Sequence, residues 1–245
     1  MNILVTGGSK GVGRAIALKF AVPGNTIFLN YHSDDESAER TAGEVAARNA
    51  RAVTVKVDVG TPQGCRQLID TVRETTDRLD VVVHGAVKSI TGPTLSLDPA
   101  EFRAATELNA SALLYLTQAA LPLLKRGSSI VFLTSKGSVA AVPDYAALGA
   151  PKAMAEALVR YLAVELAPKG IRINSVSAGP MDTEAFRSMF ATGAEERLAA
   201  ATAANPSGRA VEVADVANLV EFLASDGAEM IQGQRIHVDG GLYLR

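Results

Sequence analysis

Seven short apolar runs, most of them separated by helical patterns, constrain the fold of this chain more than any other feature. The first run is NILVT at residues 2–6 and the last is QRIHV at residues 234–238. Alternating strands and helices build right-handed βαβ units around a parallel sheet that is buried on both faces. We therefore predict an α/β fold, with a single doubly wound domain over residues 1–245 and a seven-stranded parallel sheet. Ligands of such sheets bind beyond the carboxyl ends of the strands.

The composition is that of an ordinary globular protein. The 245 residues include 20% charged side chains and a formal net charge of −2, which gives no reason to expect nucleic acid as a partner. A single cysteine, Cys65, excludes an intrachain disulfide framework and a thiolate metal cluster, and we expect no metal site. The start, MNILVTGG, lacks the pattern of a secretory signal, and the apolar stretch at 112–124 is too short to span a bilayer. We expect a cytoplasmic protein that makes no contact with membranes.

A glycine-rich loop, VTGGSKGVG at residues 5–13, follows the first strand and opens the first helix. Glycine permits a tight turn and a close approach of backbone to a pyrophosphate, and the helix N-terminus directs N–H groups at the anion. Plain turns also use glycine, but the first strand–helix junction of a βαβ chain favours a nucleotide site. The loop residues predicted to contact the cofactor are Gly7, Ser9, Lys10, Gly11 and Val12.

The end of the second strand indicates which dinucleotide binds. NAD sites usually place a carboxylate there, on the ribose hydroxyls. Here the strand ends with Tyr31, His32 and Ser33, which we expect to contact the cofactor but which carry no carboxylate, and Asp34 comes late enough to be a helix cap. Lys10 in the glycine loop is then a cation without an opposing carboxylate, which suits a 2′-phosphate. We therefore expect NADPH rather than NADH.

Two further strand ends are candidates for cofactor contacts. Asp58 and Val59 end the third strand, where the Asp58 carboxylate and a backbone N–H could bind an adenine. His84, Gly85 and Ala86 end the fourth strand, and the two small residues would let a ribose lie close. Ordinary strand-end turns are the alternative interpretation for both.

Taken together, these motifs resemble the short-chain dehydrogenase/reductase family along nearly the whole chain. The resemblance includes the TGxxxGxG loop, Asn109 in the fourth helix, Ser135 after the fifth strand, SAGPMDT at 177–183 and GQRIHVDGG at 233–241. It implies a Rossmann-type fold, a nicotinamide cofactor contacted also by Pro180, Met181 and Thr183, and a homotetramer or homodimer. One departure is His84, where the family usually has Asn; an imidazole can still hydrogen-bond across the turn.

The larger departure concerns the catalytic pair. The family usually has Tyr-x3-Lys, whereas the only candidate pair here is Tyr145 and Lys152, seven positions apart. On a continuous helix seven residues rise about 10.5 Å and keep both side chains on one face. Pro151 could instead begin the helix, which would leave Tyr145 on a loop. We expect Lys152 to reach the nicotinamide ribose and to lower the pKa of the phenol by its charge.

The wider spacing favours a particular substrate. A ketone needs its proton on the oxygen of the carbon that receives hydride, whereas an enoyl thioester takes hydride at C3 and its acid serves a more distant enolate oxygen. Tyr-x6-Lys also resembles the enoyl-acyl-carrier-protein reductase branch. The resemblance implies that Tyr145 stabilises or protonates the enolate, that Lys152 also binds the cofactor, and that Ser135 assists the oxyanion. Asn109 either holds a water for proton relay or braces the middle of its helix.

Two other functions remain open. Ser135 also fits a ketoreductase that acts on a 3-oxoacyl thioester or another carbonyl. The third hypothesis is an NADP-binding regulatory protein without catalytic activity.

For the leading function we predict an acyl thioester substrate, carried by acyl carrier protein or coenzyme A, in fatty acid or polyketide biosynthesis. Residues 181–210 should form a substrate lid whose Phe186, Met189 and Phe190 line an acyl pocket or belong to a structural helix face, with 87–93 as the opposite wall.

Overall fold

The computed structural model describes residues 1–244, and its centre is one sheet of seven parallel strands. The order across the sheet is β3-β2-β1-β4-β5-β6-β7. The strand bounds are β1 Asn2–Thr6, β2 Thr26–Tyr31, β3 Arg51–Lys56, β4 Leu79–His84, β5 Leu124–Ser135, β6 Arg172–Ala178 and β7 Arg235–Val238. The prediction of a doubly wound, seven-stranded α/β domain is confirmed.

Helices cover both faces of the sheet. Their bounds are α1 Gly11–Lys19, α2 Asp35–Ala46, α3 Pro62–Arg73, α4 Pro99–Thr106, α5 Ala112–Ala120, α6 Ala146–Leu166, α7 Glu184–Met189, α8 Ala194–Ala204 and α9 Val213–Ala224. Apolar residues of α3, α5 and α6 form one core with one face of the strands, and those of α1, α2 and α9 form a second core with the other face. Alternating strand residues therefore pack into opposite layers, as in β1, where Leu4 joins the first core and Ile3 the second.

Local sequence signals set where several of these helices begin. The Asp34 carboxylate accepts a hydrogen bond from Ser37 N at 2.9 Å and so caps α2, as predicted. Thr61 caps α3 by accepting from Gly64 N, and Pro62 occupies the first turn, where its missing N–H costs nothing. No helix among residues 1–244 is long and apolar enough to cross a membrane.

The order of the strands reverses between β1 and β4, which are neighbours in the sheet although two other strands separate them in the chain. The chain leaves β1 toward one edge of the sheet and leaves β4 toward the other. Thr6 at the end of β1 pairs with His84 at the end of β4, so the two carboxyl ends lie level. Connections that diverge from such a point leave a crevice in which ligands of doubly wound sheets bind.

Candidate active site

A cavity of about 570 Å³ opens at this crevice, beyond the carboxyl ends of β1, β4, β5 and β6. It brings together most of the residues predicted from the sequence. The predicted residues that line it are Gly7, Ser9, Lys10, Gly11, Val12, Gly85, Ser135, Tyr145, Lys152, Pro180, Met181 and Thr183. The predicted residues that do not line it are Tyr31, His32, Ser33, Asp58, Val59, His84, Ala86 and Asn109.

The glycine loop is a tight cradle at the N-terminus of α1. Gly7 has a positive φ of 66°, and a Cβ on Gly13 would collide with the Gly7 carbonyl oxygen, so only glycine allows this packing. The residue before α1, Lys10, provides no side-chain cap, and its φ and ψ are extended. The first N–H groups of the helix therefore remain available for an anion. These features fit the pyrophosphate of a dinucleotide.

Lys10 corrects one step of the cofactor prediction. Its ammonium lies 2.5 Å from an Asp34 carboxylate oxygen and 2.9 Å from Glu184 Oε1, so it does face carboxylates. Hydrogen bonds to Asp34 and Glu184 raise the pKa of Lys10, and the Lys10 hydrogen bond lowers the pKa of Asp34 to about 2. The sequence could not show the contact with Glu184, which is 174 positions away, and Asp34 was expected only to cap α2. Lys10 is shared between these carboxylates and any anion that binds the loop.

The other residues at the ends of β2 and β3 lie outside the cavity. The Tyr31 hydroxyl donates to Asp35 at 2.8 Å, while His32 and Ser33 are exposed beside it. Asp58 is exposed and accepts from Gly60 N at 2.8 Å, and Val59 is buried in the core below. Their predicted role in cofactor binding stays a prediction.

His84 braces the turn after β4. Its Nε2–H donates to the Leu108 carbonyl at 3.1 Å, so Nδ1 accepts the hydrogen of the Thr6 hydroxyl at 2.9 Å. Burial lowers the pKa of His84 to about 4, which keeps the imidazole neutral. The Thr6 oxygen in turn accepts from the N–H groups of Gly85 and Ala86 at 3.2 Å each. Histidine thus ties β4 to β1 and to the helix region, and it does so from outside the cavity.

Asn109 braces a loop. It lies in a wide helical turn, Glu107–Ser111, between α4 and α5. Its amide donates to the Lys88 carbonyl at 3.0 Å, and its carbonyl oxygen accepts from Lys88 N at 2.9 Å. Both ends of the side chain are therefore occupied by the backbone of the segment that follows β4. Of the two roles predicted for Asn109, this geometry supports structural bracing by hydrogen bonds over the proton relay.

Tyr145 stands immediately before α6. The helix begins at Ala146 and continues through Pro151 to Leu166, so Pro151 is an internal residue and not the start. The Tyr145 carbonyl accepts from Leu148 N at 3.0 Å and from Gly149 N at 2.8 Å, which fixes its backbone to the first turn. The phenol donates to Ser135 Oγ at 3.3 Å. Tyr145 is therefore held by the helix and directed at the end of β5.

Two glycines allow this approach. A Cβ on Gly149 would lie 2.5 Å from the Gly137 carbonyl oxygen, and a Cβ on Gly137 would lie 2.6 Å from the Tyr145 ring. Real Cβ atoms essentially never come so close, so larger residues would separate α6 from the turn after β5. The contact between Gly137 and Gly149 brings Ser135 and Tyr145 together.

Lys152 lies two turns further along α6 and is only 8% exposed. Its ammonium donates to the Leu133 carbonyl at 2.6 Å and stands 5.1 Å from the centre of the Phe132 ring. Burial lowers the pKa of Lys152 to about 8, and the Glu156 carboxylate one turn on opposes that shift. Lys152 is a cation on the cavity wall whose charge titrates near neutral pH.

The phenol of Tyr145 behaves differently from the prediction. Its pKa is raised, because burial outweighs the opposing hydrogen bond with Ser135. The expectation that Lys152 lowers this pKa is wrong for the free protein: Lys152 is not among the groups that shift it, and its ammonium is directed at Leu133. Tyr145 is thus a neutral hydrogen-bond donor at physiological pH.

A sequence model of the family described as Enoyl-(Acyl carrier protein) reductase matches residues 7–243. The chain belongs to the short-chain dehydrogenase/reductase family. It is similar to 1-cyclohexenylcarbonyl-CoA reductase of Streptomyces collinus, with 36% identity over 98% of this chain and 86% of the relative. The enoyl-acyl-carrier-protein reductase (NADH) FabI of Nostoc sp. is 33% identical over 98% of this chain and 95% of its own length.

Solved structures of the same family agree in fold. The angucycline C-6 ketoreductase LanV with bound NADP superposes with a TM-score of 0.90 and 30% identity, covering 100% of this chain and 96% of that one. A short-chain dehydrogenase from Burkholderia cenocepacia in complex with NADP gives a TM-score of 0.88 and 29% identity, covering 98% and 96%. Membership of the family makes the chain an oxidoreductase.

A buried ion pair behind the reductase site was not predicted. The Glu156 carboxylate lies 3.0 Å from Arg235 Nε and accepts from Thr134 Oγ1 at 2.5 Å and Ser138 Oγ at 2.6 Å. Arg235 also donates to the Ser135 carbonyl at 3.1 Å. Ser138 is thus directed at this carboxylate and does not line the cavity. Glu156 follows Lys152 by one helical turn, which is the only sequence signal that could have marked it.

The segment after β6 lines the cavity. Thr183 caps α7 by accepting from Phe186 N at 3.2 Å, and Pro180 and Met181 precede it on the wall. The apolar residues Phe186, Met189 and Phe190 line the cavity, and the Phe186 and Phe190 rings pack 4.8 Å apart. Val87 and Ser89 from the predicted opposite wall line it as well.

Proposed function

We propose that this reductase transfers hydride from NADPH to the C=C bond of an enoyl thioester. The observation that carries the proposal is the seven-residue separation of the two proposed catalytic residues, with Tyr145 immediately before α6 and Lys152 two turns along it. Tyr145 donates to Ser135 at one end, and Lys152 donates to the Leu133 carbonyl two turns away. An acid set apart from the cation in this way suits a substrate whose oxygen is two carbons from the atom that receives hydride.

The bound nicotinamide would supply the hydride, and residues of this chain would stabilise the negative charge that develops on the thioester oxygen. Tyr145 enters as a neutral phenol, because burial raises its pKa, so it can donate to the thioester oxygen as negative charge develops there. Ser135 Oγ, 3.3 Å from the phenol, can donate to the same oxygen. Tyr145 either passes its proton to the enolate or relays one from solvent.

Lys152 would hold the cofactor ribose and place positive charge near the developing anion. Its present acceptor, the Leu133 carbonyl, leaves two ammonium hydrogens for ribose hydroxyls. The anion site at the start of α1 would take the pyrophosphate, and Lys10 a 2′-phosphate in competition with Asp34 and Glu184. The LanV and Burkholderia cenocepacia structures hold NADP, which supports NADPH as the cofactor here, so NADPH should give the higher kcat/KM; a higher kcat/KM with NADH would contradict this choice.

The relatives support an acyl thioester as substrate. The name 1-cyclohexenylcarbonyl-CoA describes a conjugated C=C–C=O thioester, and the FabI relative is named for an enoyl-acyl-carrier-protein substrate. The cavity offers apolar walls to such a chain through Phe186, Met189 and Phe190. We propose that residues 181–210 close over it as a lid, and that the protein works as a homodimer or homotetramer.

A second candidate is a ketoreductase acting on a 3-oxoacyl thioester or another carbonyl. The hydrogen bond between Tyr145 and Ser135 favours it, because two hydroxyl donors on one oxygen also serve a ketone. LanV, similar along the whole chain, is named as a ketoreductase.

Parallel assays separate the two functions. NADPH oxidation is followed with crotonyl-CoA and with acetoacetyl-CoA, and with the same acyl groups on acyl carrier protein. A higher kcat/KM for the crotonyl thioesters supports the proposal, and a higher value for the acetoacetyl thioesters supports the ketoreductase. NADPH binding without turnover of any of the four would overturn both in favour of a regulatory protein.

A further inference from the structure

Tyr243, near the end of the chain, lines the same cavity as Tyr145 and Ser135. It comes after β7, far in sequence from every predicted catalytic residue. Its side chain is half-buried. The cavity is thus bordered by a second phenol, to which neither the sequence motifs nor the proposed mechanism gives a role.

The turn that brings Tyr243 there is firmly held. Buried Asp239 accepts from Gly241 N through Oδ1 at 2.9 Å and from Leu242 N through its carbonyl at 3.1 Å. The same carbonyl accepts from Asn205 Nδ2 at 3.1 Å, which ties the turn to the end of α8. Gly240 has a positive φ of 63°, and a Cβ there would collide with the Asn205 carboxamide. These hydrogen bonds and the glycine at position 240 therefore fix the turn that places Tyr243 at the cavity.

The ring of Tyr243 has a defined partner, whereas its hydroxyl has none. The Lys136 ammonium lies 4.3 Å from the ring centre, a cation–π distance, and Lys136 directly follows Ser135. Within residues 1–244 the hydroxyl makes no hydrogen bond to protein, and it is not among the buried unpaired polar atoms, so it remains accessible to a ligand. Burial, followed by the charges of Asp239 and Tyr145, raises the pKa of Tyr243 to about 12. The group is a neutral donor near Tyr145.

We propose that Tyr243 donates a hydrogen bond to the carbonyl oxygen of the acyl thioester and so helps to fix the substrate beside Tyr145. The proposal rests on the proposed function for its substrate class. The thioester carbonyl is the acceptor next to the reacting double bond, where Tyr145 is proposed to act. Lys136 holds the ring by its face and leaves the hydroxyl free to donate. Tyr243 is then a substrate-contacting residue that acts on binding.

A binding cycle tests this without depending on turnover. Wild-type protein and Tyr243→Phe, each saturated with NADP⁺, are titrated calorimetrically with butyryl-CoA and with S-butyl-CoA, a thioether that lacks the carbonyl. Phenylalanine keeps the ring over Lys136 and removes only the hydroxyl. We expect the variant to bind butyryl-CoA about tenfold more weakly, the size of one good hydrogen bond, and S-butyl-CoA unchanged.

The control is Tyr161→Phe, because Tyr161 lies on α6, is 73% exposed and does not line the cavity. It should bind both ligands like the wild type. Equal butyryl-CoA affinity in Tyr243→Phe and wild type, or an equal loss with both ligands, would overturn the role of Tyr243, as would a wild type that binds neither ligand. The proposed function fails on a different result, the absence of NADPH oxidation with crotonyl thioesters.

Discussion

Replacing Glu156 by Gln should test how much the buried ion pair between Glu156 and Arg235 stabilises the fold around the site. The Glu156 side chain is 8% exposed and that of Arg235 is 19% exposed, with 3.0 Å between Oε1 and Nε. Gln keeps the shape and an oxygen that accepts from Thr134 and Ser138. It removes the charge, and Arg235 is left without a carboxylate in a largely dry position.

The magnitude follows from this burial. Removing one partner of a buried ion pair costs about 3–5 kcal/mol, and the lower end applies here because Arg235 keeps partial exposure and two other acceptors. In a chain of this length each kcal/mol lowers Tm by about 2–4 °C, so a loss of about 3 kcal/mol lowers Tm by about 6–12 °C. The free energy of unfolding is measured by urea denaturation and Tm by calorimetry, at pH 7.

The matched control is Glu221→Gln, which breaks the exposed pair between Lys19 and Glu221 at 3.0 Å. Exposed pairs contribute under about 1 kcal/mol, so this variant should unfold almost like the wild type. The double variant Glu156→Met with Arg235→Met leaves no unpaired buried charge and should lose less stability than Glu156→Gln alone. Equal losses in Glu156→Gln and Glu221→Gln would refute the reasoning.

The remaining predictions concern the site and the turn behind it. Tyr145→Phe should lower kcat at least a hundredfold with little change in KM, as steady-state kinetics will show, because the donor acts as charge develops. The kcat/KM of the free enzyme should fall as pH rises through about 8, where buried Lys152 loses its proton, and in Glu156→Gln the pH profile should shift to lower pH. The pKa of His84 is lowered to about 4 in the folded protein, against 6.5 in the unfolded chain. Protonation of the unfolded chain should therefore remove about 3 kcal/mol of the free energy of unfolding as pH falls from 6.5 to 4. Urea titrations should show that His84→Asn lacks this pH dependence. Gly149→Ala should push α6 from the turn at Gly137 and lower both Tm and kcat, whereas Ala150→Ser, at an exposed neighbour, should change neither.

The fold could be predicted because its signal is local and repeated. Each strand is an apolar run, each helix has its own period, and the handedness of βαβ connections then leaves few topologies. Tyr145 and Lys152 line one cavity for a similarly local reason, because Tyr145 directly precedes α6 and Lys152 lies seven positions further on. The bounds of α6 resolved what Pro151 left open, because packing at Gly137 and Gly149 stabilises the turns before the proline.

Long-range partners could not be predicted. Lys10 was expected to have no carboxylate partner, because Glu184 follows β6 and is distant from Lys10 in the sequence. The pairing of β7 with β6 places Arg235 beside Glu156. The turn at Asp239 places Tyr243 at the cavity. The pKa of Tyr145 was misjudged for a related reason: proximity along a helix does not show where an ammonium is directed. Such contacts depend on tertiary packing that no short motif records.

The geometry of α6 connects the sequence spacing to the chemistry. Because the helix continues through Pro151, Lys152 is fixed two turns from Tyr145 and donates to the end of β5 at Leu133. Because Gly137 and Gly149 touch, the last residue of β5, Ser135, meets the phenol instead. The strand thus offers its carbonyl to the cation and its hydroxyl to the acid, two residues apart. We propose that the neutral donor and the cation act on different atoms, which suits reduction of a conjugated double bond, where hydride adds two carbons away from the carbonyl carbon whose oxygen takes the charge.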